Sequence, residues 1–138
     1  VSGYLLDTCS VLNLLAPPPG AKVLIPLDAA TFVSAVTDYE LRFGVAVATA
    51  DPAKAAKRMN QLMAVTAHWQ PLPVDSAVTA AYSSIAAGVI AAGQQLKDKR
   101  MADLLLAATA LAHDLTFVTN DKALTRAVAD TVPVTALL

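Results

Sequence analysis

Short apolar segments recur along this chain, and all but the last give way to a helix-like pattern. The strand-like segments are residues 3–7, 31–35, 69–74, 115–119 and 132–137. "TFVSA" (31–35) is rich in β-favouring residues, and "LTFVT" (115–119) is almost continuously apolar. Helical patterns cover 8–16, 37–49, 52–67, 76–93, 100–113 and 121–129, with a further short helix over 21–29 interrupted by Pro26. Strands that alternate with helices pair in parallel, because each crossover needs a helix. Strands with few polar residues fit a sheet covered on both faces. The predicted class is α/β: a three-layer α/β/α sandwich with a mainly parallel sheet of four to five short strands.

Local signals set the boundaries. Pro17-Pro18-Pro19-Gly20 stops the first helix. Asp51-Pro52 is a capped helix start, and Asp75 caps the helix after it. Val78, Ala81, Tyr82, Ile85 and Val89 form one apolar stripe. Met101, Leu104, Leu105, Ala108, Leu111 and Ala112 form the inner face of another helix. The 138 residues suit a single domain over 1–138. At 56% hydrophobic and 15% charged, the chain is not disordered. A net charge of −1 gives no global field to attract a polyanion. No apolar run approaches the roughly 20 residues of a membrane span. No basic segment precedes an apolar core at the N-terminus, and the single cysteine forbids an internal disulfide. These features predict a soluble, cytoplasmic protein with no membrane association.

Acids fall where these segments meet. Asp7 ends the first strand. Glu40 is expected in the first turn of the helix after the second strand, and Asp103 in the first turn of its own helix. Asp121 follows Thr119-Asn120 where the fourth strand becomes a helix. In a parallel sheet, strand C-termini and the following helix N-termini share one edge, where ligand crevices open. Taken singly, each acid is an ordinary helix-start residue. Asp7 and Asp121 are placed as N-caps, Thr37-Asp38-Tyr39-Glu40 matches a capping box, and Asp103 suits the helix dipole. Taken as a set, four crowded carboxylates repel unless a positive charge lies among them. Mg²⁺ prefers carboxylate oxygens and acidifies its water, a chemistry suited to phosphodiesters.

"LLDTCSVLNLL", "VSAVTDYELRFGV" and "RMADLLLAATALAHDLTFVTND", in this order and spacing, resemble the PIN-domain ribonucleases, and among them the VapC toxins of bacterial toxin–antitoxin pairs. The resemblance runs from about residue 3 to about residue 135. It implies catalytic roles for Asp7, Glu40, Asp103 and Asp121. Asp7, Asp103 and Asp121 would ligate metal, and Glu40 would act partly through water. Thr8 and Thr119 match supporting hydroxyl positions. It further implies Mg²⁺ or Mn²⁺ dependence, hydrolysis of RNA by water attack, a homodimer, and a cognate antitoxin that covers the site. Leu124 stands where many relatives carry an aromatic residue, and Cys9 where many carry Asn or Ser.

Arg100 lies one helical turn before Asp103 and could bind a scissile phosphate, pair with Asp103 or face solvent. Lys97, Lys99 and Arg100 make the basic patch nearest the expected cleft; Lys54, Lys57 and Arg58 make a second. Arg42 is expected to be structural or partner-facing. Cys9, with no histidine placed to activate it, is expected to be a small core residue although it lies at a helix start. His68 and His113 lack metal-ligand spacing, and 5% aromatic content does not support a base-stacking platform around Tyr39 and Trp69. Two other readings compete. One is a phospho-receiver domain, whose accepting Asp would end the third strand. The other is a non-catalytic PIN-like binding module whose acids only cap helices.

Overall fold

Leu5 and Leu6 are adjacent in sequence, yet they lie in two different apolar clusters, one on each face of a sheet. The strand alternation that separates them organises the whole molecule. The computed structural model describes residues 3–138; the first two residues of the domain expected over 1–138 lie outside it. Its strands are β1 (Tyr4–Leu6), β2 (Thr31–Phe32), β3 (Thr116–Val118) and β4 (Val134–Thr135). Its helices are α1 (Thr8–Leu15), α2 (Ala35–Val47), α3 (Pro52–His68), α4 (Ser76–Ala91), α5 (Met101–Ala112) and α6 (Lys122–Val128). A 3₁₀ turn, Leu96–Asp98, interrupts the loop expected over 94–99.

The sheet runs β2-β1-β3-β4 and every pairing is parallel. The central register aligns Leu5 with Phe117 and Leu6 with Val118. Leu5 and Phe117 pack with Val78, Ile85 and Val89 of α4 and Leu104 and Leu106 of α5. Leu6 and Val118 pack with Val11 of α1, Leu41 of α2 and Leu62 and Val65 of α3. Helices thus cover both faces, as the apolar strands require. Each fully buried Leu contributes about 1.5–3 kcal/mol of transfer free energy.

Several boundaries differ from those expected. Residues 21–29 form no helix. Pro26 has no amide to donate, and the Leu24 amide instead donates to the Leu137 carbonyl at 2.7 Å. Residues 69–74 contract to a single parallel bridge between Ser34 and Leu72. Leu72 both donates to Val33 and accepts from Ala35, but Pro71 and Pro73 on either side cannot extend the ladder. The second strand stops at Phe32 because Ser34 begins α2, its hydroxyl accepting from the Val36 amide at 3.0 Å. No capping box forms at Thr37. That residue is buried in the first turns of α2, and Glu40 lies in the second turn.

The stripe on α4 holds, with Val78, Ile85 and Val89 fully buried. Helix α5 is covered more completely than one stripe provides. Leu104, Leu106, Ala107, Ala108, Thr109 and Ala110 are all buried, whereas Met101 is 66% exposed. After α5, Asp114 takes φ +55° and Leu115 donates to the Ala110 carbonyl. This left-handed stop turns the chain directly into β3. Among the described residues no helix is long and apolar enough to cross a membrane.

Candidate active site

Strands β1 and β3 are hydrogen-bonded neighbours, so the residues that follow them leave the sheet side by side. The Asp7 amide donates to the Val118 carbonyl at 3.0 Å, which ties the end of β1 to the end of β3. Asp7 then caps α1, with Oδ1 accepting from the Ser10 amide at 2.8 Å. Asp121 caps α6 in the same way, accepting from the Leu124 amide at 3.0 Å. Thr119, buried at the end of β3, accepts from the Asp121 amide at 3.1 Å through its hydroxyl. Both acids therefore keep their cap roles, each using one carboxylate oxygen.

Glu40 and Asp103 are joined by other side chains. Thr8 Oγ1 donates to Glu40 Oε1 at 2.6 Å and lies 3.1 Å from Thr37 Oγ1. Arg100 Nη2 donates to Glu40 Oε2 at 2.7 Å, and Arg100 Nε lies 3.5 Å from Asp103 Oδ2. One connected path thus links α1, α2 and the start of α5. Burial pushes the Asp103 carboxyl above its ordinary range; Arg100 opposes this, and Glu40, Asp121 and Asp7 add to it. Asp7, Glu40 and Asp121 thus all lie near enough for their charges to act on Asp103.

Thr37 and the Arg100–Glu40 link were not anticipated. Thr37 lies three residues before Glu40, a spacing that puts both on one helix face and could have pointed to it. Arg100 pairs with two acids at once, and its side chain remains 67% exposed.

Cys9 is exposed, not a core residue. Its thiol is pushed upward by partial burial and by Asp7, Glu40 and Asp103, with Arg100 opposing, so its place at a helix start does not activate it. Arg42 pairs with Asp38 one turn earlier at 3.1 Å. Arg58 is structural, donating to the Gly44 carbonyl at 2.7 Å. Trp69 Nε1 donates to Thr31 Oγ1 and fastens the end of α3 to β2. His68 packs at a tilt against Trp69, and His113 ends α5. Leu124 is buried beneath the Asp121 cap.

The donor set is all oxygen: carboxylates backed by threonine hydroxyls. That chemistry fits a hard divalent cation. Among the described residues, no three His, Cys, Asp or Glu side chains form a ready-made metal cage. The charge lying between Glu40 and Asp103 is the Arg100 guanidinium.

Comparison with curated proteins returned no match. Among solved structures, the chain resembles the VapBC-5 toxin–antitoxin system of Mycobacterium tuberculosis, at 26% identity and a TM-score of 0.75, over 99% of this chain and 98% of that one. It resembles FitAcB of Neisseria gonorrhoeae at 31% identity and a TM-score of 0.73, over 95% of both chains. A DNA-bound VapBC of Salmonella typhimurium shares the fold, with a TM-score of 0.72 at 15% identity over 99% and 98% of the two chains. The family model for the PIN domain matches residues 4–129, and the chain belongs to that family.

Proposed function

We propose that this protein is a metal-dependent endoribonuclease, the toxin of a toxin–antitoxin pair of the VapC type. The observation that supports the reading is Asp103, a part-buried acid held above its ordinary range by burial and by the charges of Glu40, Asp121 and Asp7, and reached with Glu40 by the one Arg100 guanidinium. Such a site favours positive charge. Asp7, Asp103 and Asp121 are the residues that would hold Mg²⁺ or Mn²⁺, with waters completing the shell. When bound, the ion supplies a more acidic water and neutralises charge on the phosphate.

The chain's own residues do the rest. Thr8 fixes one oxygen of Glu40, leaving that carboxylate to orient a water or accept its proton. Thr119 steadies the turn that presents Asp121. Arg100, long and mostly exposed, is placed to leave its acid partners for a phosphate oxygen of the substrate. RNA is the substrate this reading assigns.

The antitoxin belongs to the same proposal. Tyr39, Phe43 and Met101 are 63%, 67% and 66% exposed, and they line an open groove of about 670 Å³ that also includes Glu40 and Arg100. A partner seated there would bury apolar surface and close the site together. Val47, Met59 and Met63 are also exposed, and a homodimer belongs to the same proposal. Light scattering of the free protein reads its oligomeric state.

Against the receiver reading, residues 69–74 form only a bridge, so no third strand ends at Asp75 to present a phospho-acceptor. The test of the nuclease reading is Asp7→Asn. Divalent-dependent RNA cleavage and growth inhibition are lost while the fold is kept. Retained cleavage contradicts the reading, and a protein that binds no divalent ion is the binding module instead.

A further inference from the structure

Beside Asp121, on the side of β4, lies a second cleft of about 440 Å³ that the acids do not line. Its walls include Thr119 and Asn120 from the end of β3, Lys122, Thr125 and Arg126 from α6, and Thr135 of β4. Lys122 and Arg126 are exposed, and among the described residues neither forms an ion pair. They stand four residues apart on one face of α6.

Among the remaining polar groups, the Asn120 amide is the one held to donate. Asn120 Oδ1 is taken up by the amides of Leu137 at 3.0 Å and Leu138 at 3.3 Å. That fixes the side-chain amide and leaves its NH₂ group to donate elsewhere. The Thr125 hydroxyl donates to the Asp121 carbonyl at 2.9 Å. The cleft, which Leu138 also lines, therefore presents an ammonium, a guanidinium and a fixed amide donor, and among the described residues no carboxylate pairs with either cation. It opens at the segment Thr119-Asn120-Asp121, so one wall is continuous with the acidic site.

We infer that this cleft is a phosphate-binding subsite for single-stranded RNA, holding the backbone next to the bond cut at the acids. The inference rests on the nuclease reading and adds the path of the substrate, which leaves the acidic edge past Asp121 and runs over α6. An acidic pocket alone repels a polyanion, and the net charge of −1 gives no long-range attraction. A local pair of free cations one step beyond the acids supplies the anchor.

The test compares Lys122→Gln/Arg126→Gln with its parent and with Lys54→Ala/Lys57→Ala, a control that removes two charges from α3. Affinity for a labelled poly-uridine strand is measured by anisotropy in the non-cutting Asp7→Asn background, across a salt series. KM for RNA is measured with Asp7 intact. The cleft variant is expected to weaken binding and raise KM with little change in kcat. Its salt slope should flatten by about 1.4, about 0.7 for each lost phosphate contact to a single strand. Arg126→Lys should keep most of the slope, and the α3 control should match the parent. Circular dichroism verifies the fold of each variant. RNA bound and cut normally, with Kd and slope unchanged in the cleft variant, overturns the subsite alone. No cleavage by the unmodified protein overturns the nuclease reading beneath it. Displacement of the RNA by inorganic phosphate at matched ionic strength marks a free-anion site and overturns the assignment to RNA.

Discussion

Arg100 and Glu40 lie 60 residues apart in sequence, and their side chains meet at 2.7 Å at the mouth of the acidic site. Glu40 takes this bond on one oxygen and the Thr8 hydroxyl on the other. The guanidinium also reaches Asp103 at 3.5 Å, so the chain's own cation is shared between the two acids and competes for them with any bound ion.

Removing that competitor should favour a metal. Arg100→Gln is expected to tighten Mn²⁺ binding by about twofold to fivefold, the range set by an exposed ion pair worth up to about 1 kcal/mol. Calorimetric titration measures it. Weaker binding would mean that Arg100 organises the acids for the ion.

Thr8→Val keeps the shape of the side chain and deletes its hydroxyl. Glu40 loses the 2.6 Å bond that fixes Oε1, and Thr37 loses its neighbour. A hydrogen bond to a charged group is worth about 1.5 kcal/mol or more, so RNA cleavage should slow about tenfold or more with little change in melting temperature. A cleavage rate equal to that of the unmodified protein would remove Thr8 from the site.

Asp103 makes stability depend on pH in a definite direction. Its folded-state pKa lies above the ordinary 3.8, chiefly through burial, so ionising it costs more in the folded chain than in the unfolded one. The cost is present above the raised value, is relieved as pH falls through it, and is gone below 3.8. In chelator at neutral pH, Asp103→Asn should therefore melt at a higher temperature than the unmodified protein. The gap should close on acidification. Melting curves across the acid range test this, and a gap that widens toward low pH would contradict it.

Gly88 sets the approach of α4 to the segment after α6. A Cβ built at Gly88 collides with the Thr131 hydroxyl and comes within 3.3 Å of its Cβ. Helix propensity alone favours Ala over Gly by about 1 kcal/mol. The collision reverses the sign, and Gly88→Ala should cost about 1–3 kcal/mol. Thr131→Ala in the same chain removes the hydroxyl and should restore most of the loss, as a double-mutant cycle in denaturant would register.

The parts of the fold legible in the sequence are those fixed by local chemistry. Asp7, Asp51, Asp75 and Asp121 all cap helices as their positions predict. The apolar strands β1 and β3 lie at the centre of the sheet, where residues with no polar alternation belong. The misread segments are those decided by distant partners. Residues 21–29 follow Leu137, not a helical ladder, and "WQPLPV" carries strand-like residues between prolines that permit one bridge.

The placement of Asp7 and Asp121 is legible for a topological reason: neighbouring parallel strands deliver both to one side regardless of packing detail. The links Thr8–Glu40 and Arg100–Glu40 are not, because they depend on how α2 and α5 sit against α1. Thr37 was read as a cap because Thr-x-x-Glu is a local pattern. Ser34 pre-empts it by bonding to the Val36 amide, and the helix begins before Thr37 is reached. The exposure of Cys9 was missed for a similar reason, since a small residue early in a helix can face either way.

The most direct measurement is a calorimetric titration of Mn²⁺ into the unmodified protein, Asp7→Asn and Asp103→Asn, each verified as folded. Saturable binding in the first and its loss in both variants is the predicted result, because the proposed site shares one ion between acids from distant segments. Binding undiminished in both variants would contradict the shared metal site.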